Sequence, residues 1–145
     1  MFGDVNLRLL ANLGCNIKGV MIVLLVEDDS AVRTLAAASL QEEHFSVLQA
    51  SNGEEALRVA RSQDNIDLLL TDFEMGHGLN GVELGSRILT ERPGLPVLVM
   101  SGFPDIESMA AEKGMPFLAK PFTSASLRQR VREMLASKDS SVRFR

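Results

Sequence analysis

The sequence predicts an α/β domain built on a parallel sheet, and three observations predict it. Short, mainly apolar runs recur along the chain, segments with helical apolar spacing separate them, and the two kinds alternate five times between about residues 21 and 137. Five strand-then-helix units imply right-handed crossovers, hence a five-stranded parallel sheet with helices on both faces. Five strands favour the flavodoxin-like order 2-1-3-4-5, in which ligands bind beyond the carboxyl ends of the strands.

The first run, Ile-Val-Leu-Leu-Val at 22–26, is continuous and rich in β-branched residues, as a strand buried on both faces should be. Val32, Leu35, Ala36, Ser39 and Leu40 then form a helical stripe. A weaker strand follows at 46–50, and Asn52 with Glu55 has the spacing of a helix cap and third residue, opening a helix to about Arg61. Residues 66–71 are the third strand, and Asn80 with Glu83 repeats the capping spacing before Gly85, Ile88 and Leu89. Residues 96–100 are the fourth strand. Asp105 is placed to cap a short helix ending at Gly114. The fifth strand, 116–119, is weak like the second, and weakness suits sheet edges. Thr123 or Ser124 caps the last helix, with Leu127, Val131, Met134 and Leu135 as its stripe.

The 145 residues suit one compact domain, and 46% apolar with 23% charged residues is a globular balance. A net charge of −4 argues against general nucleic-acid binding. Arg128, Arg130, Arg132, Lys138, Arg143 and Arg145 read as a solvated helix face and tail. The single cysteine, Cys15, allows no internal disulfide. No apolar run approaches the roughly 20 residues of a membrane helix, and Asp4, Arg8 and Lys18 break up any signal-peptide core. A cytoplasmic, soluble protein without nucleic-acid or membrane partners is expected. Residues 1–20 read as an extension or linker, with Met21 an alternative start, 21–137 as the domain, and 138–145 as a mobile tail.

The strand ends carry the chemistry. Glu27, Asp28 and Asp29 follow the first run, Asp72 the third, Ser101 the fourth and Lys120 the fifth. Any one is uninformative, and Asp29 reads best as a helix cap. Together they place carboxylates, a hydroxyl and an ammonium on one rim. Two unit charges about 4 Å apart repel by roughly 4 kcal/mol at an effective dielectric of 20, so Glu27, Asp28 and Asp72 need a cation or a proton among them. Oxygen ligands without His or Cys suit Mg²⁺ or Mn²⁺, with positions left for phosphate oxygens. Asp72 is then a nucleophile forming an acyl phosphate, while Lys120 and Ser101 supply charge and a hydrogen bond to the phosphoryl group.

These segments, Val-Leu-Leu-Val-Glu-Asp-Asp (23–29), Asp-Leu-Leu-Leu-Thr-Asp (67–72), Val-Leu-Val-Met-Ser-Gly (97–102) and Phe-Leu-Ala-Lys-Pro-Phe (117–122), resemble the receiver domain of response regulators in order and interval. The resemblance implies a phosphoprotein of two-component or phosphorelay signalling. Asp72 matches the phosphoacceptor, Asp28 a direct metal ligand, Glu27 a ligand through water, and Glu74 the position whose backbone carbonyl completes the metal shell. Ser101 matches the switch hydroxyl, Lys120 the phosphate-binding lysine, Phe117 the aromatic switch position, and Lys120–Pro121 the cis peptide. Gly76 in place of proline after Met75, and a loop one residue longer up to Gly81, resemble receivers associated with hybrid sensor kinases.

The expected partners are therefore a sensor histidine kinase or histidine phosphotransfer protein, with an unidentified downstream protein. No output domain is recognised after residue 137, and no enzymatic activity is expected beyond the domain's own phosphorylation and dephosphorylation. Glu74 also has the spacing of the second acid in haloacid-dehalogenase-like phosphatases, which is one alternative. An unphosphorylated pseudo-receiver and a flavodoxin-like binding module are others. His44 and His77 read as surface residues; Met100, Met109, Met115 and Met134 as core filler; Phe103 and Phe122 as packing beside the site.

Overall fold

The computed structural model describes residues 20–143, with side chains described to residue 137. The strands are β1 (Ile22–Val26), β2 (Ser46–Ala50), β3 (Leu68–Asp72), β4 (Val97–Ser101) and β5 (Phe117–Ala119). The helices are α1 (Ser30–Glu42), α2 (Gly53–Ser62), α3 (Gly81–Glu91), α4 (Ile106–Glu112) and α5 (Ser124–Arg143). All strands run parallel in the order β2-β1-β3-β4-β5, so the two weak runs are indeed the edges.

Side chains alternate across the sheet and build a core on each face. Leu24, Val26, Leu69 and Val99 pack with residues of α2, α3 and α4, including Ala56, Leu84 and Ile88. Val23, Leu25, Leu70 and Met100 pack with α1 and α5 through Ala37, Leu40, Leu127 and Val131. Burying each Leu, Ile or Val is worth about 1.5–3 kcal/mol, so both helical layers are held to the central strands by apolar burial.

The caps follow the sequence closely. Asn52 Oδ1 accepts from Glu55 N, while Asn80 and Glu83 form a reciprocal capping box. Thr123 caps α5, its Oγ1 accepting from Ser126 N at 3.0 Å. Asp105 departs from expectation: its backbone is already helical and its side chain makes no capping bond. Gly114 does end the α4 region, at φ 75°.

Four other boundaries or faces are corrected. β3 starts two residues late because the Asp67 carboxylate accepts from Ile22 N at 2.8 Å and so ties off the strand's foot. Leu35 is 70% exposed; the close α1–α5 contact admits the small Ala36 and Ala37, and Leu35 turns to the rim. Met109, expected in the core, is 42% exposed on α4. Helix α5 continues to Arg143 rather than stopping at 137, since residues 138–143 contain no glycine or proline to break it. Residues 1–19 of the expected extension, and 144–145, lie outside the described residues.

Candidate functional site

The carboxyl ends of β1, β3, β4 and β5 bring Glu27, Asp28, Asp72, Ser101 and Lys120 onto one rim. β3 delivers Asp72 as its last residue, and the Phe73 N–H donates to Met100 O to hold the exit beside β4. Helix α3 then starts against this exit: a Cβ on Gly81 would lie 2.3 Å from the Asp72 carbonyl oxygen, so only glycine fits there. The Gly81 N–H donates to Phe73 O at 3.0 Å. In the sequence Gly81 marks only the end of the loop after Met75. A glycine in the first helical turn was the available signal.

Glu27, Asp28 and Asp72 present carboxylate oxygens within 4.8 Å of one another. Glu27 and Asp72 are buried; Asp28 is exposed. Asp29 is outside the group, capping α1 by accepting from Ala31 N and Val32 N. Lys120 Nζ reaches between the buried pair, 3.0 Å from Glu27 Oε1 and 2.8 Å from Asp72 Oδ1. The contact to Asp72 is a close ion pair, with the ammonium against the carboxylate. A second cation, missed in the sequence, supports the cluster: Arg33 Nη1 donates to the Glu27 carbonyl at 2.7 Å.

Burial pushes the Asp72 carboxyl up to about 7; Glu27 and Glu74 add to the rise, and Lys120 opposes it. For Lys120, burial acts downward, but contacts with Asp72 and Glu27 outweigh it and hold the ammonium above its ordinary range. The donor set is therefore oxygen-only, anionic and concentrated, which suits a hard divalent ion such as Mg²⁺.

Ser101 is fully buried at the end of β4. Its hydroxyl donates to Glu74 Oε2 at 2.6 Å and accepts from Phe103 N at 3.0 Å. The Glu74 side chain thus joins Ser101 rather than the three-carboxylate group. Phe117 is half-buried against the α2–α4 core, and the Lys120–Pro121 peptide is cis. His77 is exposed between Gly76 and Gly78, both at positive φ; His44 lies in the α1–β2 turn at φ 68°. Phe103 is 58% exposed, whereas Phe122 packs on the α1–α5 core.

Residues 23–132 match the family described as the response regulator receiver domain. The chain belongs to that family. This receiver is 31% identical over 116 residues to the transcriptional regulatory protein GlrR of Escherichia coli (strain K12), covering 78% of the chain and 26% of GlrR. It spans about a third or less of the length of the curated relatives it matches. A receiver domain protein from Clostridium thermocellum superposes with TM-score 0.77 at 25% identity, covering 82% of this chain and 97% of that one. The receiver domain of the hybrid histidine kinase CckA is 36% identical with TM-score 0.66, covering 79% and 98%. The likeness to hybrid-kinase receivers read from the loop after Met75 thus has a counterpart among solved structures. Among the described residues no helix is long and apolar enough to cross a membrane.

Proposed function

We propose that Asp72 accepts a phosphoryl group from a phosphohistidine on a sensor histidine kinase or histidine phosphotransfer protein. The observation that carries this reading is the placing of Lys120 Nζ between Glu27 and Asp72, with Asp28 alongside. An Asp72 carboxylate oxygen attacks phosphorus while the bond to the donor's histidine nitrogen breaks, and that nitrogen keeps the electron pair. Glu27, Asp28, Asp72 and the Glu74 carbonyl would hold Mg²⁺ or Mn²⁺, which supplies neutralisation of phosphoryl charge. Lys120 stays beside the phosphorylated side chain as its fixed cation, and Ser101 offers its hydroxyl. The new charge then shifts the β4–α4 loop and Phe117 between two arrangements, which a downstream protein reads.

The donor has a natural seat. A groove of about 760 Å³ lies between α1 and the start of α5, lined by Val32, Leu35, Ala36, Lys120, Pro121 and Phe122. Lys120 belongs both to this wall and to the ion pair with Asp72, so whatever fills the groove stands next to the phosphoacceptor. An apolar helix face of the phosphohistidine donor suits it.

A haloacid-dehalogenase-like phosphatase would need Glu74 available for proton transfer, but its carboxylate is engaged by Ser101. The test is labelling with a phosphorylated histidine donor. Asp72 should be labelled with Mg²⁺ present, and labelling should disappear with a chelator or in Asp72→Asn. Label retained in Asp72→Asn would refute the assignment.

A further inference from the structure

Resting on the phosphoacceptor reading, we infer that Glu74 is a positioning residue: it latches the Ser101 hydroxyl in the unphosphorylated protein and competes with the phosphoryl group for that hydrogen. A serine hydroxyl has a single hydrogen and donates it to one acceptor at a time. Here the hydrogen goes to Glu74, across 2.6 Å, the length of a strong O–H···O⁻ bond. The oxygen is used as well, accepting from Phe103 N at 3.0 Å. Ser101 has no exposed surface, so water does not reach it as an alternative acceptor. The hydroxyl therefore cannot serve a phosphoryl group on Asp72 until Glu74 lets go.

Glu74 is built to let go. Among the described residues, Ser101 is its one hydrogen-bond donor and no cation pairs with it. Phosphorylation adds negative charge to Asp72, two residues away in the chain, and like charges at this range repel. The exposed Gly76-His77-Gly78 stretch follows immediately, which gives the loop room to carry the carboxylate outward. Release of Glu74 and capture of the phosphoryl oxygen by Ser101 are thus one exchange, with Phe103 N held by the same hydroxyl oxygen.

The latch differs from plain repulsion between Glu74 and the phosphoryl group, because only the latch acts through Ser101. Titration of the full chain with beryllofluoride and Mg²⁺, read by calorimetry and by the Phe103 amide resonance, separates the two in a double-mutant cycle. Glu74→Ala should tighten beryllofluoride binding about tenfold, and shift the Phe103 amide before any ligand is added. In a Ser101→Ala background the same change should gain about threefold or less, the part due to charge alone. Ser101→Thr keeps a hydroxyl and should restore the larger gain, which covers the case of a Ser101→Ala protein that folds poorly. Equal gains in the presence and absence of the hydroxyl, or weaker binding in Glu74→Ala, would overturn the latch. Failure of the unmodified protein to bind beryllofluoride is a separate result, and overturns the phosphoacceptor reading with the latch.

Discussion

Lys120 Nζ stands 2.8 Å from Asp72 Oδ1, close enough for the ammonium to act as resident counterion to the candidate nucleophile. The same group closes on Glu27 at 3.0 Å, so one cation offsets two buried carboxylates. On the proposed mechanism a divalent ion and the ammonium would compete for the same negative charge until Asp72 carries a phosphoryl group. The added phosphoryl charge would then suffice for both.

Replacing Lys120 should consequently have effects of opposite sign on two ligands. Lys120→Gln removes positive charge from the carboxylate group, and Mg²⁺ should bind several-fold more tightly, a gain on the order of 1 kcal/mol. Beryllofluoride should bind at least tenfold more weakly, because the fixed cation for the phosphoryl oxygens is gone. Parallel titrations of the two ligands check this. Loss of affinity for both would mean that Lys120 merely holds the site in shape.

The acid at position 72 makes the metal-free protein pH-dependent. Its folded value of about 7 lies above the ordinary 3.8, so between those values the folded state holds a proton the unfolded chain has lost. Stability should then fall as pH rises from about 4 through 7, the reverse of a salt-bridged carboxylate. Asp72→Asn should abolish that slope and be more stable than the unmodified protein at pH 8 in chelator, by on the order of 2–4 kcal/mol. Adding Mg²⁺ should recover much of this for the unmodified protein and little for the variant. Urea unfolding at pH 5 and 8, with and without Mg²⁺, measures all four corners.

The fold was largely legible because strand-end chemistry and helix caps are local signals. Asn80–Glu83 declares its capping box within four residues, and the run at 22–26 announces burial on both faces by composition alone. Glu27, Asp28, Asp72, Ser101 and Lys120 were legible jointly, since each follows an apolar run and parallel strands put those ends together. What escaped was tertiary. Leu35 fits the apolar stripe of α1, and only the approach of α5 turns it outward. The Ser101–Glu74 bond joins side chains from two strand exits, and Arg33 reaches a carbonyl rather than a partner visible as a charge pair. Gly81 needs the neighbouring backbone before its necessity shows.

That necessity gives a third prediction. A methyl group on residue 81 would meet the Asp72 carbonyl oxygen at 2.3 Å and its carbonyl carbon at 3.0 Å, and neither is a flexible side chain. Gly81→Ala must push α3 away from the end of β3. The cost should be about 2–4 kcal/mol of unfolding free energy, seen as a lowered denaturation midpoint. Because the displaced atoms belong to Asp72, phosphorylation should slow even where the variant is fully folded. A variant of undiminished stability and unchanged labelling rate would show that the helix start relaxes freely.

The exposed side of α1 provides the last prediction, and it separates docking from chemistry. Leu35 is 70% exposed and lines the same groove as Lys120, but it is not one of the three residues that supply carboxylates. Leu35→Glu should leave stability within about 0.5 kcal/mol, since the site is solvated already. A small phosphodonor such as acetyl phosphate needs no docking surface, so its labelling of Asp72 should change by less than about twofold. Transfer from a phosphorylated histidine donor should slow by about tenfold or more, because a charge now sits where an apolar helix face must be desolvated. Equal slowing with both donors would place the damage inside the site, and equal rates with both would mean that the donor approaches Asp72 from another side.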